Sequence, residues 1–409
     1  MSKKLRFLCL SIVLVSSLVS WANAQPKPTH EMKTLKIGVI SPQSGPIAFY
    51  GMSILRSVSL TAKNINEKGT LGKGPGVLVG GQRYKLEVVS YDDMGDPAKS
   101  IAGMRKLVEM YKVPVILGPI GTPHTWACQV INVQLGVVFL GMSASDLSRK
   151  KGNPFYIQDR TPGEYYGDPM AQACINKGYR KACVLSDVSE AYTSWGKRFK
   201  EKFENLGGEV LGFESADTKT TTDFHSIMTN FKAKNPEIIF VSTYEEPSAL
   251  AARHALDVGY QGRFLFNTEW GPKGENMVGL ENLDGSLVHM TVWYYVKYPS
   301  EDKRGYLTAF IKQYRDTYKE DPATPAAHTQ TATYMFVRAM EIAGTATDVY
   351  AIRAACPKAL QEDKLPLVYH QTDVLKNGLM YGMRDVLTEI RGGQYKFVQE
   401  IIVPRELLE

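Results

Sequence analysis

Two hydrophobic periods alternate regularly along this chain. Short apolar runs at Leu35–Ile40, Tyr84–Val89, Val113–Leu117 and Val137–Leu140 are separated by helical stretches at Ser53–Glu67, at Pro97–Tyr111 and after Pro123. Strands that alternate with helices read as βαβ units, and strands that are apolar throughout imply a parallel sheet covered on both faces. A second series begins at Gly163, with strands at Lys181–Leu185, Glu209–Phe213, Ile238–Val241 and Arg263–Phe266. Its helices are read at Gly163–Asn176, Tyr192–Asn205, Phe224–Lys234 and Glu246–Val258. The expected fold class is α/β, with two Rossmann-like lobes built on parallel sheets. Helical patterning returns at Leu307–Tyr318, at His328–Ala343 and around Cys356. The tail reads as a hairpin, because Gly392-Gly393 separates two β-rich runs.

The first residues have another character. Lys3, Lys4 and Arg6 precede an apolar run, Phe7–Val19, and a small-residue site, Ala22-Asn-Ala24. That is the pattern of a cleavable secretory signal over residues 1–24, with Gln25 as the mature start. The apolar run is shorter than the roughly 20 residues a membrane-spanning helix needs, and Cys9 lacks the small residues that precede a lipidated cysteine. Losing the three cations lowers the formal charge from +6 to +3, which removes the hint of an anionic partner. No cluster of five like charges occurs, so nucleic acid and membrane surfaces are poor partners. Cys128, Cys174, Cys183 and Cys356 remain and read as buried thiols, with a Cys174–Cys183 bridge as the alternative.

In open α/β sheets ligands gather outside the carboxyl ends of the strands. The junctions there include Ser41–Pro46, Gly118–Thr125, Gly141–Ser145, Asp187–Tyr192, Tyr244–Pro247 and Asn267–Trp270. Thr122 and Thr125 flank a helix start, and Ser143 and Ser145 follow the next strand. All four can converge on a carboxylate, or serve as ordinary helix caps. Glu269, a lone acid directly after an apolar strand and beside Trp270, needs a cation such as an ammonium if it is desolvated; otherwise it is a surface acid. An enzyme reading finds little support. Gly141-Met-Ser-Ala-Ser145 lacks the last glycine of a nucleophile elbow, and no Cys-x-x-Cys occurs. His30, His124, His225, His254, His289, His328 and His370 show no metal-ligand spacing. No metal or cofactor is expected. The glycine-rich stretch Gly69–Gly81 lacks the Gly-Lys-Ser/Thr ending of a phosphate loop and reads as a structural turn.

Three segments taken together, Ser44-Gly-Pro-Ile-Ala-Phe-Tyr-Gly51, Asn64-Ile-Asn-Glu-Lys-Gly69 and Tyr91-Asp-Asp-Met-Gly-Asp-Pro97, resemble the periplasmic branched-chain amino-acid-binding proteins of ABC transporters, the leucine/isoleucine/valine-binding type. The resemblance covers nearly the whole chain after the signal. It implies a type I periplasmic binding protein fold with three crossovers, near Phe155–Arg160, Gly285–Thr291 and Leu365–Gln371. The first lobe would comprise residues 25–157 plus 290–365, and the second residues 158–289 plus 366–409. It further implies a monomeric periplasmic protein that captures a small amino acid or related carboxylate between its lobes and delivers it to a membrane permease.

By the same resemblance Thr122, Ser143 and Ser145 hold the ligand carboxylate and Glu269 its ammonium. Tyr192 and Tyr244 are the second-lobe tyrosines, and Tyr50 is the first-lobe aromatic; packing is the other reading of all three. Gly95 and Gly121 stand where leucine-type binders carry a disulfide, and the missing side chain of Gly121 is expected to enlarge the ligand side-chain pocket. His124 and Trp126 nearby read as helix-surface residues. Two alternatives keep the fold: a sensor domain, and a binder of aromatic acids or amides.

Overall fold

The computed structural model describes residues 32–218, 220–291, 297–369 and 371–409. The expected signal over residues 1–24, and also His30 and His370, lie outside them. The first sheet contains β1 (Lys33–Ser41), β2 (Val77–Val79), β3 (Gln82–Asp92), β4 (Val115–Ile120), β5 (Val138–Met142) and β6 (Tyr156–Gln158), in the order β2-β3-β1-β4-β5-β6. Its helices are α1 (Ala48–Lys68), α2 (Pro97–Tyr111), α3 (Thr122–Gln129), α4 (Asn132–Leu135) and α5 (Leu147–Lys150).

The second sheet uses β7 (Lys181–Asp187), β8 (Glu209–Ala216), β9 (Ile238–Ser242), β10 (Arg263–Phe266) and β11 (Leu287–Met290). After a small ladder of β12 (Asp373–Val374) and β13 (Met380–Tyr381), it is completed by β14 (Asp385–Arg391) and β15 (Gln394–Ile401). Its order is β15-β14-β11-β10-β9-β7-β8. The helices between its strands are α6 (Gly167–Asn176), α7 (Glu190–Asn205), α8 (His225–Ala233), α9 (Glu245–Asp257) and α10 (Pro272–Val278). Three more, α11 (Tyr306–Tyr318), α12 (Pro325–Ala343) and α13 (Val349–Leu360), lie between β11 and β12 in the chain.

The central strands pair in parallel, β1 with β4, β4 with β5, β7 with β9 and β9 with β10. Every residue of β5 and β9 is buried, as a strand covered by helices on both faces must be. The margins depart from a purely parallel expectation. β2 pairs antiparallel with β3 through Gly80-Gly81, and β14 with β15 through Gly392-Gly393. All four of these glycines have positive φ, the conformation that two-residue hairpin turns require. The terminal hairpin is thus present, and it joins the second sheet because β14 pairs antiparallel with β11.

Among the described helices α12 is the most buried, wedged against α1, α13, β2 and β4. Helix α11 is bonded to α1 through Asn64–Gln313 and Tyr318–Arg56 hydrogen bonds. Chain passage out of the second sheet falls after Met290, where β11 ends. All four cysteines among the described residues are buried thiols. Cys174 packs with Ala182 and Val184 on one face of β7, while Cys183 joins Leu185 on the other. Strand alternation therefore keeps the two sulfurs apart.

Candidate ligand-binding site

Each sheet has a point where its strand order reverses. In the first, β1 lies between β3 and β4; in the second, β7 lies between β8 and β9. Loops at the carboxyl ends of these strands diverge and leave a crevice; Tyr50 and Thr122 follow β1 and β4, Tyr192 and Tyr244 follow β7 and β9, and Ser143, Ser145 and Glu269 follow the next strands out, β5 and β10.

On the first sheet the hydroxyls form a chain. Thr122 Oγ1 lies 3.0 Å from Ser143 Oγ, which lies 2.6 Å from Ser148 Oγ, and Trp126 Nε1 donates to Ser148 Oγ at 2.8 Å. Ser143 Oγ also accepts the Ser145 N–H at 3.2 Å, and Ser145 Oγ accepts the Leu147 N–H at 3.3 Å. One hydroxyl offers one donor and two acceptor positions, so the buried Ser143 is fully used. It holds Thr122 and the Ser145 loop in place. Thr122, half-buried in the first turn of α3, has hydrogen-bonding capacity to spare, as do the first-turn N–H groups that lack intrahelical acceptors. Thr125 is fully buried, with its side chain against Gly141 on β5, and does not join this group. Trp126, read as a surface residue, is instead tied through Ser148 to the hydroxyl chain, with Lys151 Nζ 4.5 Å from its ring centroid.

On the second sheet Glu269 is partly buried, three residues beyond β10. Its carboxylate accepts Thr291 Oγ1–H at 2.8 Å and Thr291 N–H at 3.2 Å. Burial raises its pKa, opposed by these hydrogen bonds and by His289. Among the described residues no lysine or arginine pairs with it. Trp270 is buried against Phe266, with ring centroids 4.5 Å apart. Tyr192 and Tyr244 meet edge to face at 4.7 Å, and Ser242 Oγ–H donates to the Tyr192 carbonyl at 3.0 Å. Burial pushes the Tyr192 hydroxyl up, with Tyr244 and Asp187 adding to the shift. Tyr50, in the first turn of α1 and still 44% exposed, has its pKa raised by partial desolvation and then by the charges of Glu245, Glu269 and Glu246. Carboxylates of the second sheet therefore lie within electrostatic reach of a first-sheet tyrosine.

The crossovers carry a buried ionic group. Arg160 Nη2 pairs with Asp159 at 2.7 Å, Gln371 Nε2 donates to the Asp159 carbonyl at 2.6 Å, and His328 packs on Tyr369 with 4.4 Å between centroids. His289 sits between the Asn267 carbonyl and Asp385, 3.0 Å from each. A carbonyl can only accept, so Nδ1 carries a proton. The contact at Nε2 then requires a second proton shared with Asp385, and hydrogen bonding to Asp385 raises the histidine pKa against the effect of burial.

Two further expectations change. A Cβ on Gly121 would lie 3.0 Å from His124 Nδ1, so the His124 ring occupies space that the glycine leaves free. Pocket enlargement at this point does not follow. At Gly95 the neighbour is Ile47, 3.5 Å from a would-be Cβ. Second, two histidines 29 positions apart do meet: His225 and His254 stack at 3.9 Å, and with Asp223 they present donor atoms within 4.8 Å of one another. His254 Nδ1 already accepts the Phe224 N–H at 3.0 Å. That use of its lone pair opposes metal ligation there.

Ser148, Thr291 and the His289–Asp385 pair were not found from sequence. Thr291 follows β11 as Glu269 follows β10, so the strand-end rule applied to one more strand locates it. The His289–Asp385 contact spans 96 residues and left no local pattern.

Among the described residues no helix is long and apolar enough to cross a membrane. A profile of the periplasmic binding protein family matches residues 34–377. The Leu/Ile/Val-binding protein BraC3 of Rhizobium johnstonii is 24% identical over 60% of this chain and 65% of its own length. The Leu/Ile/Val-binding protein of Escherichia coli is 22% identical over 61% and 64%. The matched segments thus span less than two thirds of these curated relatives. Among solved structures, the leucine-binding protein LivK of Thermotoga maritima superposes with a TM-score of 0.70 at 22% identity, over 90% of this chain and 99% of that one. LivJ of Streptococcus pneumoniae in complex with isoleucine gives 0.72 at 20%, over 90% and 99%. A solute-binding protein of R. palustris in complex with benzoate gives 0.67 at 18%, over 90% and 96%. At these identities the structures establish the two-lobed fold. Because the family profile spans most of its length, this chain belongs to the periplasmic binding protein family.

Proposed function

We propose that this protein binds a small α-amino acid or related small carboxylate between its lobes and hands it to an ABC transporter permease, without catalysing a reaction. Thr122 and the N–H groups at the start of α3 receive the carboxylate, with Ser143 and Ser145 supporting them. Glu269 receives the ammonium, and Tyr50, Tyr192 and Tyr244 enclose the ligand as the lobes close. The observation that carries this reading is Glu269, a desolvated carboxylate held by Thr291 with no lysine or arginine partner among the described residues. A partly buried charge of that kind is stabilised by a counter-ion that arrives with the ligand. Relatives named for leucine, isoleucine and valine binding support the same class. Export through a signal over residues 1–24 and a monomeric state belong to the proposal.

A second reading is favoured by the tyrosine pair and by a benzoate-bound structural neighbour: an aromatic acid, held at Thr122 and stacked on Tyr192 and Tyr244. Calorimetric titration of ligand-stripped protein with L-amino acids and with amine-free acids separates the two. Binding of at least one amino acid supports the first; binding confined to amine-free acids selects the second.

A further inference from the structure

His124 is the residue of this region that neither the family resemblance nor the proposed roles use. It lies in the first turn of α3, two positions after Thr122, with its ring folded back over Gly121. Both ring nitrogens are shielded from solvent and neither has a hydrogen-bond partner. A neutral imidazole has one N–H donor and one acceptor nitrogen, so this position leaves both capacities unused. Neighbouring helix-start N–H groups can satisfy at most the acceptor. The Nε2 amide of Gln43, in the loop after β1, is likewise buried and unpartnered. Strands β1 and β4 are direct neighbours in the first sheet, so the two orphaned groups stand on adjacent loops of the same crevice. Gly121 has φ +101° and no Cβ, and the imidazole packs over the space that leaves.

Resting on the binding function proposed above, we infer that His124 determines specificity, reading a hydrogen-bonding group such as an amide, hydroxyl or ring nitrogen at the end of the ligand remote from its carboxylate. A purely aliphatic ligand leaves His124 and Gln43 unpaired; a ligand with a polar far end completes them. A site built around such a contact rejects the analogue that lacks it far more strongly than an apolar pocket rejects an added hydroxyl.

The test is a calorimetric comparison of near-isosteric pairs on ligand-stripped protein: L-asparagine with L-leucine, L-threonine with L-valine, L-tyrosine with L-phenylalanine, and 4-hydroxybenzoate with benzoate. The polar member of the best-binding pair is expected to bind at least about tenfold more tightly. In His124→Leu that preference falls to near unity while the apolar member binds as well as before; His124→Gln, which keeps a donor and an acceptor, retains part of it. Equal or tighter binding of the apolar member by the natural protein overturns the inference, as does an unchanged preference in His124→Leu, and neither result touches the binding function. Absence of binding across all four pairs overturns both.

Discussion

Replacing Glu269 with Gln removes the charge while keeping the size of the side chain. At about 3 Å and an effective dielectric of about 20, a carboxylate–ammonium contact is worth roughly 5–6 kcal/mol before desolvation. Most of that is offset when both groups leave water, and the net value of a hydrogen bond to a charged group is about 1.5–3 kcal/mol. Since 1.4 kcal/mol is a factor of ten, amino-acid affinity should fall by roughly 10- to 150-fold. The glutamine oxygen can still accept from Thr291 Oγ1, but its NH2 group faces the Thr291 N–H, so a drop in thermal stability on the order of 1 kcal/mol accompanies the loss. Calorimetry on folded variant measures the first effect. An acid without an amine should bind the variant as well as it binds the natural protein, which separates loss of the ammonium contact from general damage. The raised Glu269 pKa adds a sign: affinity for an amine ligand is present at neutral pH and falls as pH drops through a value above the usual 4.5, as the carboxyl takes up its proton. If amino-acid affinity in Glu269→Gln stays within about threefold of the natural protein, the ammonium site is misplaced.

Three further outcomes follow from the buried polar groups. Ser143→Ala strands the Ser145 N–H and breaks the hydroxyl chain to Thr122; it should lower unfolding stability by about 1–3 kcal/mol in urea titrations, and an unchanged midpoint contradicts the assigned role. Asp146→Ala removes the carboxylate beside the buried Arg149, whose guanidinium also reaches the Leu408 carbonyl. An uncompensated buried charge costs about 3–5 kcal/mol, so calorimetric melting should show a large fall, and a fall typical of a surface substitution counts against a sealed cluster. His328 is held well below its usual pKa by burial and by Arg160, so the unfolded chain binds a proton below about pH 6.5 that the folded chain refuses. Stability contributed by the neutral form is present above that pH and is lost as pH falls, at up to about 1.4 kcal/mol per unit. Urea titrations from pH 5 to 7 should show a shallower slope for His328→Leu than for the natural protein, and parallel slopes refute the assignment.

What could be read from the sequence was local. Helix α2 begins and ends where the pattern placed it, because Asp96 caps it by accepting from Ala98 and Lys99 and Pro97 follows at the first helical position. Strand β10 is likewise bounded by its apolar run. Helix α1 starts at Ala48, five residues before the expected Ser53, because its start has no capping side chain to announce it. The preceding loop is pinned instead by Ser44 and Gln43 on Asp92, a contact 48 to 49 residues away. The site shows the same division. Glu269 and Thr122 stand just beyond strand ends that periodicity locates, while the tyrosines stand at the starts of the helices that follow, Tyr50 in the turn of α1 that the pattern left out. The partners that define what they do, Thr291 on Glu269 and Ser148 behind Ser143, become visible only when separate loops are brought together. His124 could be named from sequence, but its position over Gly121 depends on a positive-φ turn that residue types alone do not specify.

The crevice is expected to bind an α-amino acid through both of its charged groups. The most direct test of this is calorimetric titration of ligand-stripped protein with the best-binding L-amino acid, alongside the same molecule lacking its amine and the same molecule with its carboxylate amidated. The expected result is one-to-one binding of the parent compound, with at least tenfold weaker binding of each truncated or blocked form. Equal binding of the amine-free form, or no binding of any amino acid, would contradict it.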